Sequence, residues 1–149
     1  MFSRPALALL ASVALAVPAL PVLAQSEEDI YASIEALHGN AEGFFEVFAL
    51  LQDAVMFGDP VTFGQYAFFP LTVNANGETY DVLEAQDLVD NFDMLIMPET
   101  LEALGQQDVD TLIVTDEGVG IGDGAIWISN VCLDDACSQT QWGIIAINN

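Results

Sequence analysis

Beyond Arg4 the sequence contains no lysine and no arginine, against 23 aspartates and glutamates. That absence excludes whole classes of partner. A nucleic acid is a polyanion and needs Lys or Arg to neutralise its phosphates, so no nucleic-acid partner is expected. An anionic membrane surface is excluded for the same reason. No Lys–Glu or Arg–Asp pair can form, so every carboxylate must be satisfied by water, backbone N–H, a hydroxyl or a solution cation. His38 is the one side chain past Arg4 able to turn cationic. Cysteine is scarce too, with Cys132 and Cys137 as the complete set. A zinc site would need two further ligands, and only His38 stands beside the carboxylates, so no metal is expected. No Asp-x-Asp-x-Asp-Gly run is present, which leaves a calcium loop without its ligands. There is no linker, no internal repeat, and after the first two dozen residues no apolar run long enough to span a bilayer.

What is present begins with "MFSRPALALLASVALAVPALPVLAQSEED". One cation, an apolar run from about Ala6 to Leu20, and small residues Val22 and Ala24 at the −3 and −1 positions read as a secretory signal peptide over 1–24. Pro18 and Pro21 and the cleavage pattern argue against a membrane anchor, and no cysteine follows to carry a lipid. The expected product is residues 25–149, one domain, periplasmic or secreted. The formal charge of −22 at pH 7 becomes one unit more negative when Arg4 is removed. Such an acidic surface suits a salt-rich medium, a halotolerant surface, or a cationic partner. In an exported chain the close cysteine pair is expected to form a disulfide, worth on the order of 2 kcal/mol for so short a loop. Two buried thiols are the alternative.

Along the chain, Ile30, Ile34 and Leu37 mark one helical face, opened by Ser26 with Asp29 and closed at Gly39-Asn40. Phe44, Val47, Phe48, Leu51 and Val55 mark a second, stopped by Gly58-Asp59-Pro60. Thr62 to Phe69 reads as a turn of helix entering a strand. Leu71 and Val73, then Thr79 and Val82, flank Asn74-Ala-Asn-Gly as a hairpin. Leu88, Phe92, Leu95 and Ile96 return to helix, which Pro98 restarts and Gly105 ends. Strands follow to the end. Helices, hairpin, helix, then strands make an α+β domain with an antiparallel sheet.

Gly118, Gly120, Gly122 and Gly124 alternate. They fit a bare strand face, or a hairpin turning on Asp123-Gly124, a pair that tolerates two positive φ angles. The hairpin is preferred. A phosphate loop would need a helix after the glycines, and "AIWISNV" is strand-like. Cys132 and Cys137 enclose the expected tip of the next hairpin. The final strand, with Trp142, Ile144 and Ile145, is apolar on both sides and is expected at the sheet's centre.

The segments "FFPLTVNANGETYDVLEAQDLVDNFDMLIMPETLEAL", "GVGIGDGAIWI" and "WGIIAIN" resemble those of small exported bacterial proteins of unknown function. These look like members of the NTF2-like (cystatin-like) α+β superfamily, and the likeness runs from about Phe44 to Ile147. It implies a curved antiparallel sheet packed on N-terminal helices, a cone with a pocket. The superfamily includes isomerases, dehydratases, epoxide hydrolases and many non-catalytic binding modules, and no catalytic set transfers. Enzymes on that fold place Asp, His or Tyr inside the cone. The weak candidates are Asp53 and Asp93 as catalytic acids or bases, and Tyr66, Tyr80 and His38 as binding residues. Asp93 and Asp53 read more simply as solvated or capping carboxylates, and His38 as a helix C-terminus. The concentrated phenylalanines fit a core better than a ligand pocket. The leading expectation is a non-catalytic binding or interaction module, without cofactor, whose partner is an unknown small molecule or protein; such sheets also pair back to back as homodimers. The alternatives are a small-molecule lyase, isomerase or hydrolase with a carboxylate in the cone, and an acidic inhibitor or immunity-like protein against a basic partner.

Overall fold

The computed structural model describes residues 25–149, so the expected leader at 1–24 lies outside the described residues. Helix α1 spans Glu27–His38 and opens on a reciprocal cap: the Asp29 amide donates to Ser26 Oγ and the Ser26 amide to the Asp29 carboxylate, each at 3.1 Å. Three acidic side chains in its first turn suit the positive end of the helix dipole. Ile30 and Ile34 are buried as expected, but Leu37 is 53% exposed. The last turn instead presents His38, about 100° further round, whose ring meets Trp142 edge-on at 5.5 Å.

Asn40, at φ 50°, turns the chain and caps α2, Ala41–Met56. Its buried stripe is Ala41, Phe44, Val47, Phe48, Leu51 and Ala54, the three-four spacing of a helix laid on a core. Asp59 caps the short α3, Pro60–Gln65, and Pro60 occupies its first position, where no N–H is needed. Strands β1, Ala67–Ala75, and β2, Glu78–Val82, form the expected hairpin, with Asn76 and Gly77 at φ 56° and 77° in its turn. The expected single helix over Leu88–Ile96 is two pieces, α4 (Ala85–Asp90) and α5 (Phe92–Leu95). The chain divides at Asn91, and Leu88 on the first piece and Leu95 on the second are both buried. Pro98 then begins α6, Pro98–Gly105, followed by a 3-10 turn at Val109–Thr111.

The remaining strands are β3 (Ile113–Val114), β4 (Val119–Ile121), β5 (Ile126–Cys132) and β6 (Thr140–Asn148). The sheet order is β2-β1-β6-β5-β4-β3. The sheet is curved and mixed, not antiparallel throughout: β1 runs parallel to β6, with Val73 opposite Ile147, while every other neighbour is antiparallel. Both adjoining hairpins are local, but the β1–β6 seam joins residues some seventy positions apart, with β2, α4 to α6 and β3 to β5 lying between them in the chain. The seam places β6 in the interior of the sheet, as its apolar run requires.

Asp123 and Gly124 lie at φ 56° and 89°, and the Ala125 amide donates to the Gly122 carbonyl at 3.1 Å, so the β4–β5 hairpin turns on the expected pair. Cys132 and Cys137 are disulfide-bonded. The bond does not clamp strand to strand. Cys132 ends β5, whereas Cys137 sits in the loop at φ 54° before β6 begins, so the bridge closes the tip itself.

The helices cover one sheet face. Leu71, Val73, Val82, Ile121, Ile126, Ile128, Trp142, Ile144 and Ile147 point into it and meet Phe44, Leu51, Phe63 and Leu104 from the helices. Asn149 locks the far end. Its amide side chain accepts from the Met97 amide at 2.8 Å and the Thr100 hydroxyl at 2.9 Å, and donates to the Leu95 carbonyl at 2.8 Å.

Candidate functional site

The space between helices and sheet is filled by side chains. Phe44, Phe63, Leu51 and Ile144 are fully buried there and Trp142 is nearly so. Among the described residues the one buried polar side chain is Thr100, already bonded to Asn149. No carboxylate lies inside. All 23 acidic residues fall within the described segment, and every one is exposed except Asp59 and Asp134, which are half-buried.

The candidate residues are scattered over this frame. Asp53 is exposed on α2. Asp93 is exposed on α5, at the rim of a surface cleft of about 530 Å³ whose walls include Pro60, Val89, Phe92, Met94 and Leu101. Phe92 in that wall is anchored edge-on against buried Phe63 at 5.2 Å. Tyr66 caps α3 and packs against the core, where its carbonyl accepts from the Ile144 amide at 2.7 Å. Tyr80 is on β2, half-buried, and its hydroxyl donates to Glu78 at 2.8 Å. That hydrogen bond, with some burial and the Glu78 charge, pushes the Tyr80 phenol above its usual value. His38 Nε2 lies 2.7 Å from the Thr115 carbonyl, tying α1 to the β3–β4 turn. Asp93 and Asp53 stand on different helices and no two of the five candidates form a shared cluster of acid and base. Among the described residues no three His, Cys, Asp or Glu side chains converge in a way that could hold a metal ion.

Three other carboxylates have their acidity altered, each by local capping. Asp59 is held below its usual value chiefly by the Thr62 hydroxyl at 2.6 Å and then the Thr62 amide. Ser26 does the same for Asp29, and Ser138, through its hydroxyl and amide, for Asp134. Hydrogen bonds to the ionised form are the shared cause. These groups organise turns and face no cleft with a second reactive group.

The outer face of the sheet, the pairing surface that the resemblance implies, carries none of the five candidate residues. Strand alternation sends Trp127, Ser129 and Val131 away from the core while Ile126 and Ile128 enter it. On the same outer face stand Gly120, opposite Trp127, and Gly143, opposite Ser129. Close approach requires glycine at Gly143 and crowds any larger residue at Gly120. A β-carbon on Gly143 would stand 2.7 Å from the Phe68 ring, and one on Gly120 would stand 3.2 Å from Trp127. Ile145 is the extra residue where the β5–β6 register shifts, and it is not part of the helix-side core. Phe68, Ile145, Trp127 and Val131 thus form a partly covered apolar band. Only one carboxylate, Asp81 on the edge strand β2, shares the strand positions of this face, and it lies within 3.4 Å of the Thr72 hydroxyl. The alternating pattern of "AIWISNVC" was the available signal.

No protein-family model, no curated protein and no solved structure matches this chain. The α+β architecture and the two surfaces just described therefore carry the functional argument. None of the described helices is long and apolar enough to cross a membrane, and the disulfide is of a kind that persists in oxidising surroundings.

Proposed function

We propose that this chain is a non-catalytic interaction domain of the periplasm or extracellular space, working through the outer face of its sheet against a second copy of itself. One observation carries the reading: in a molecule with 23 carboxylates, the outer sheet face has an apolar band and a single acidic residue at its edge. Two copies with formal charge −22 repel wherever their acidic surfaces meet. The sheet face is where they approach with few carboxylates and with apolar surface to remove from water. The filled interior and the exposure of Asp53 and Asp93 support binding over catalysis. The α+β order of elements supports an NTF2-like assignment, with the space under the sheet occupied by side chains. The disulfide supports the exported location.

Sedimentation equilibrium on the purified protein tests this reading. A dimer is expected, strengthened by salt, and Ile145→Asp is expected to give a folded monomer with an unchanged circular-dichroism spectrum. A monomer at all concentrations up to about 100 μM in molar NaCl overturns it; so does an Ile145→Asp protein that dimerises as the parent does.

A further inference from the structure

On the helical side of the molecule, away from the sheet face, a second surface groove has a composition of its own. Its volume is about 420 Å³ and its walls are Tyr31, Phe45 and Val109, with Glu27 and Glu28 at the margin. The Tyr31 and Phe45 rings are parallel, with centroids 5.9 Å apart, and Phe45 is braced edge-on against buried Phe44 at 5.2 Å. Tyr31 is 45% exposed, a large aromatic surface to leave in water. The two glutamates are exposed and make no hydrogen bond or ion pair among the described residues. Elsewhere on the first turn Asp29 is already used by the Ser26 cap.

Aromatic faces beside carboxylates attract cations: the ring quadrupole presents its negative face and the carboxylates add a full charge. A Lys or Arg of the same chain can lie across such rings where a protein has one. Here no Lys or Arg exists in the described segment, and His38 stands at the other end of α1, so apart from the α-amino group expected at residue 25 a cation for this groove comes from outside. The chemistry of the walls narrows its type. A small inorganic cation would have to shed tightly held water to touch Tyr31, Phe45 and Val109, and a primary ammonium is strongly hydrated and seeks hydrogen-bond acceptors. A quaternary ammonium is large, weakly hydrated and apolar at its surface while fully charged. We propose that the Tyr31–Phe45 groove binds small quaternary ammonium compounds. The site is independent of the sheet face and of the reading built on it.

The test uses choline and its neutral carbon isostere 3,3-dimethylbutan-1-ol, titrated into isotopically labelled protein at constant ionic strength. The expected result is saturable shifts of Tyr31, Phe45 and Val109 resonances with choline, in the millimolar range of an exposed site, and no comparable response to the isostere. Tyr31→Leu is expected to weaken choline about two- to fivefold, the effect of one exposed ring face on a cation. Glu28→Gln, which leaves the rings in place, weakens it too and also reduces its dependence on salt. Equal response to the two compounds, shifts centred elsewhere, or no shift up to about 100 mM overturns the proposal. Oligomeric state in the same samples reads the sheet face separately, and neither result bears on the other.

Discussion

Asp59 shows how a carboxylate is made useful in a chain with no basic partner. It accepts from the Val61 and Thr62 amides, both at 3.1 Å, and from the Thr62 hydroxyl. These bonds favour the ionised form, so its acidity in the folded state is greater than in the unfolded chain, where a value of about 3.9 applies. A lowered folded value contributes stability that is fully present above the unfolded value and is lost as pH falls through the lower, folded one. The urea midpoint of the parent protein is therefore expected to drop as pH is taken from about 5 to about 2. Asp59→Asn keeps a capping oxygen but cannot ionise. It is expected to be less stable than the parent at pH 7 and to lose less on acidification. Parallel curves for the two proteins would show that Asp59 is not a source of the acid sensitivity. This capping role is legible in "GDPVTF", where an acid precedes Pro60 in the same Gly58-Asp59-Pro60 that follows the end of α2. By contrast, the acid–base roles considered for Asp53 and Asp93 depended on burial, and single residues carry no information on whether a neighbour covers them.

Among the elements, the hairpin turns and helix starts were visible in advance because their causes are local. Asn76-Gly77 and Asp123-Gly124 have the positive φ angles that their residue types permit. Ser26, Asn40 and Pro98 mark helix starts where they stand. The parallel β1–β6 seam was not visible, since nothing in either strand's own sequence states the direction of a partner some seventy residues away. Gly143 records that seam indirectly. Its missing side chain makes room for the Phe68 ring and lies 2.9 Å from the Tyr66 carbonyl, which itself accepts from Ile144. Ring and backbone both constrain the site, so a larger residue cannot be absorbed by one rotamer change. Gly143→Val is expected to destabilise by about 1–3 kcal/mol, the usual cost of overfilling a packed place, measured by chemical denaturation. A β-branched residue in a strand would otherwise be neutral or favourable, so an unchanged midpoint would mean that Phe68 does not cover β6. The same variant disturbs the apolar band, and its dimer affinity should fall with its stability.

For the whole molecule, the sign of the salt response follows from composition alone. Added salt usually screens repulsive and attractive pairs together, and the balance is hard to predict. In residues 25–149 there is no Lys or Arg to make an attractive pair, and the carboxylates are spread over the outside with none in the interior. Between side chains screening then removes chiefly repulsion, which is greater in the compact state than in the expanded chain and outweighs the favourable contact of three acidic side chains with the α1 dipole. Going from about 0.15 M to 1 M shortens the screening length from roughly 8 Å to roughly 3 Å, below the spacing expected between neighbouring carboxylates. Tm is therefore expected to rise steadily with NaCl, by roughly 3–6 °C for each 1 kcal/mol of repulsion removed in a chain of this size. Dimerisation adds a concentration-dependent part to that rise, because a ligand of the native state stabilises it by mass action. The Ile145→Asp protein, if monomeric, isolates the intramolecular part. Its Tm should still climb with salt and should no longer depend on protein concentration. A flat or falling Tm in that variant would mean that the acidic shell does not oppose the fold, and the explanation of the sheet face, with its single carboxylate, as the place of least repulsion would fall with it.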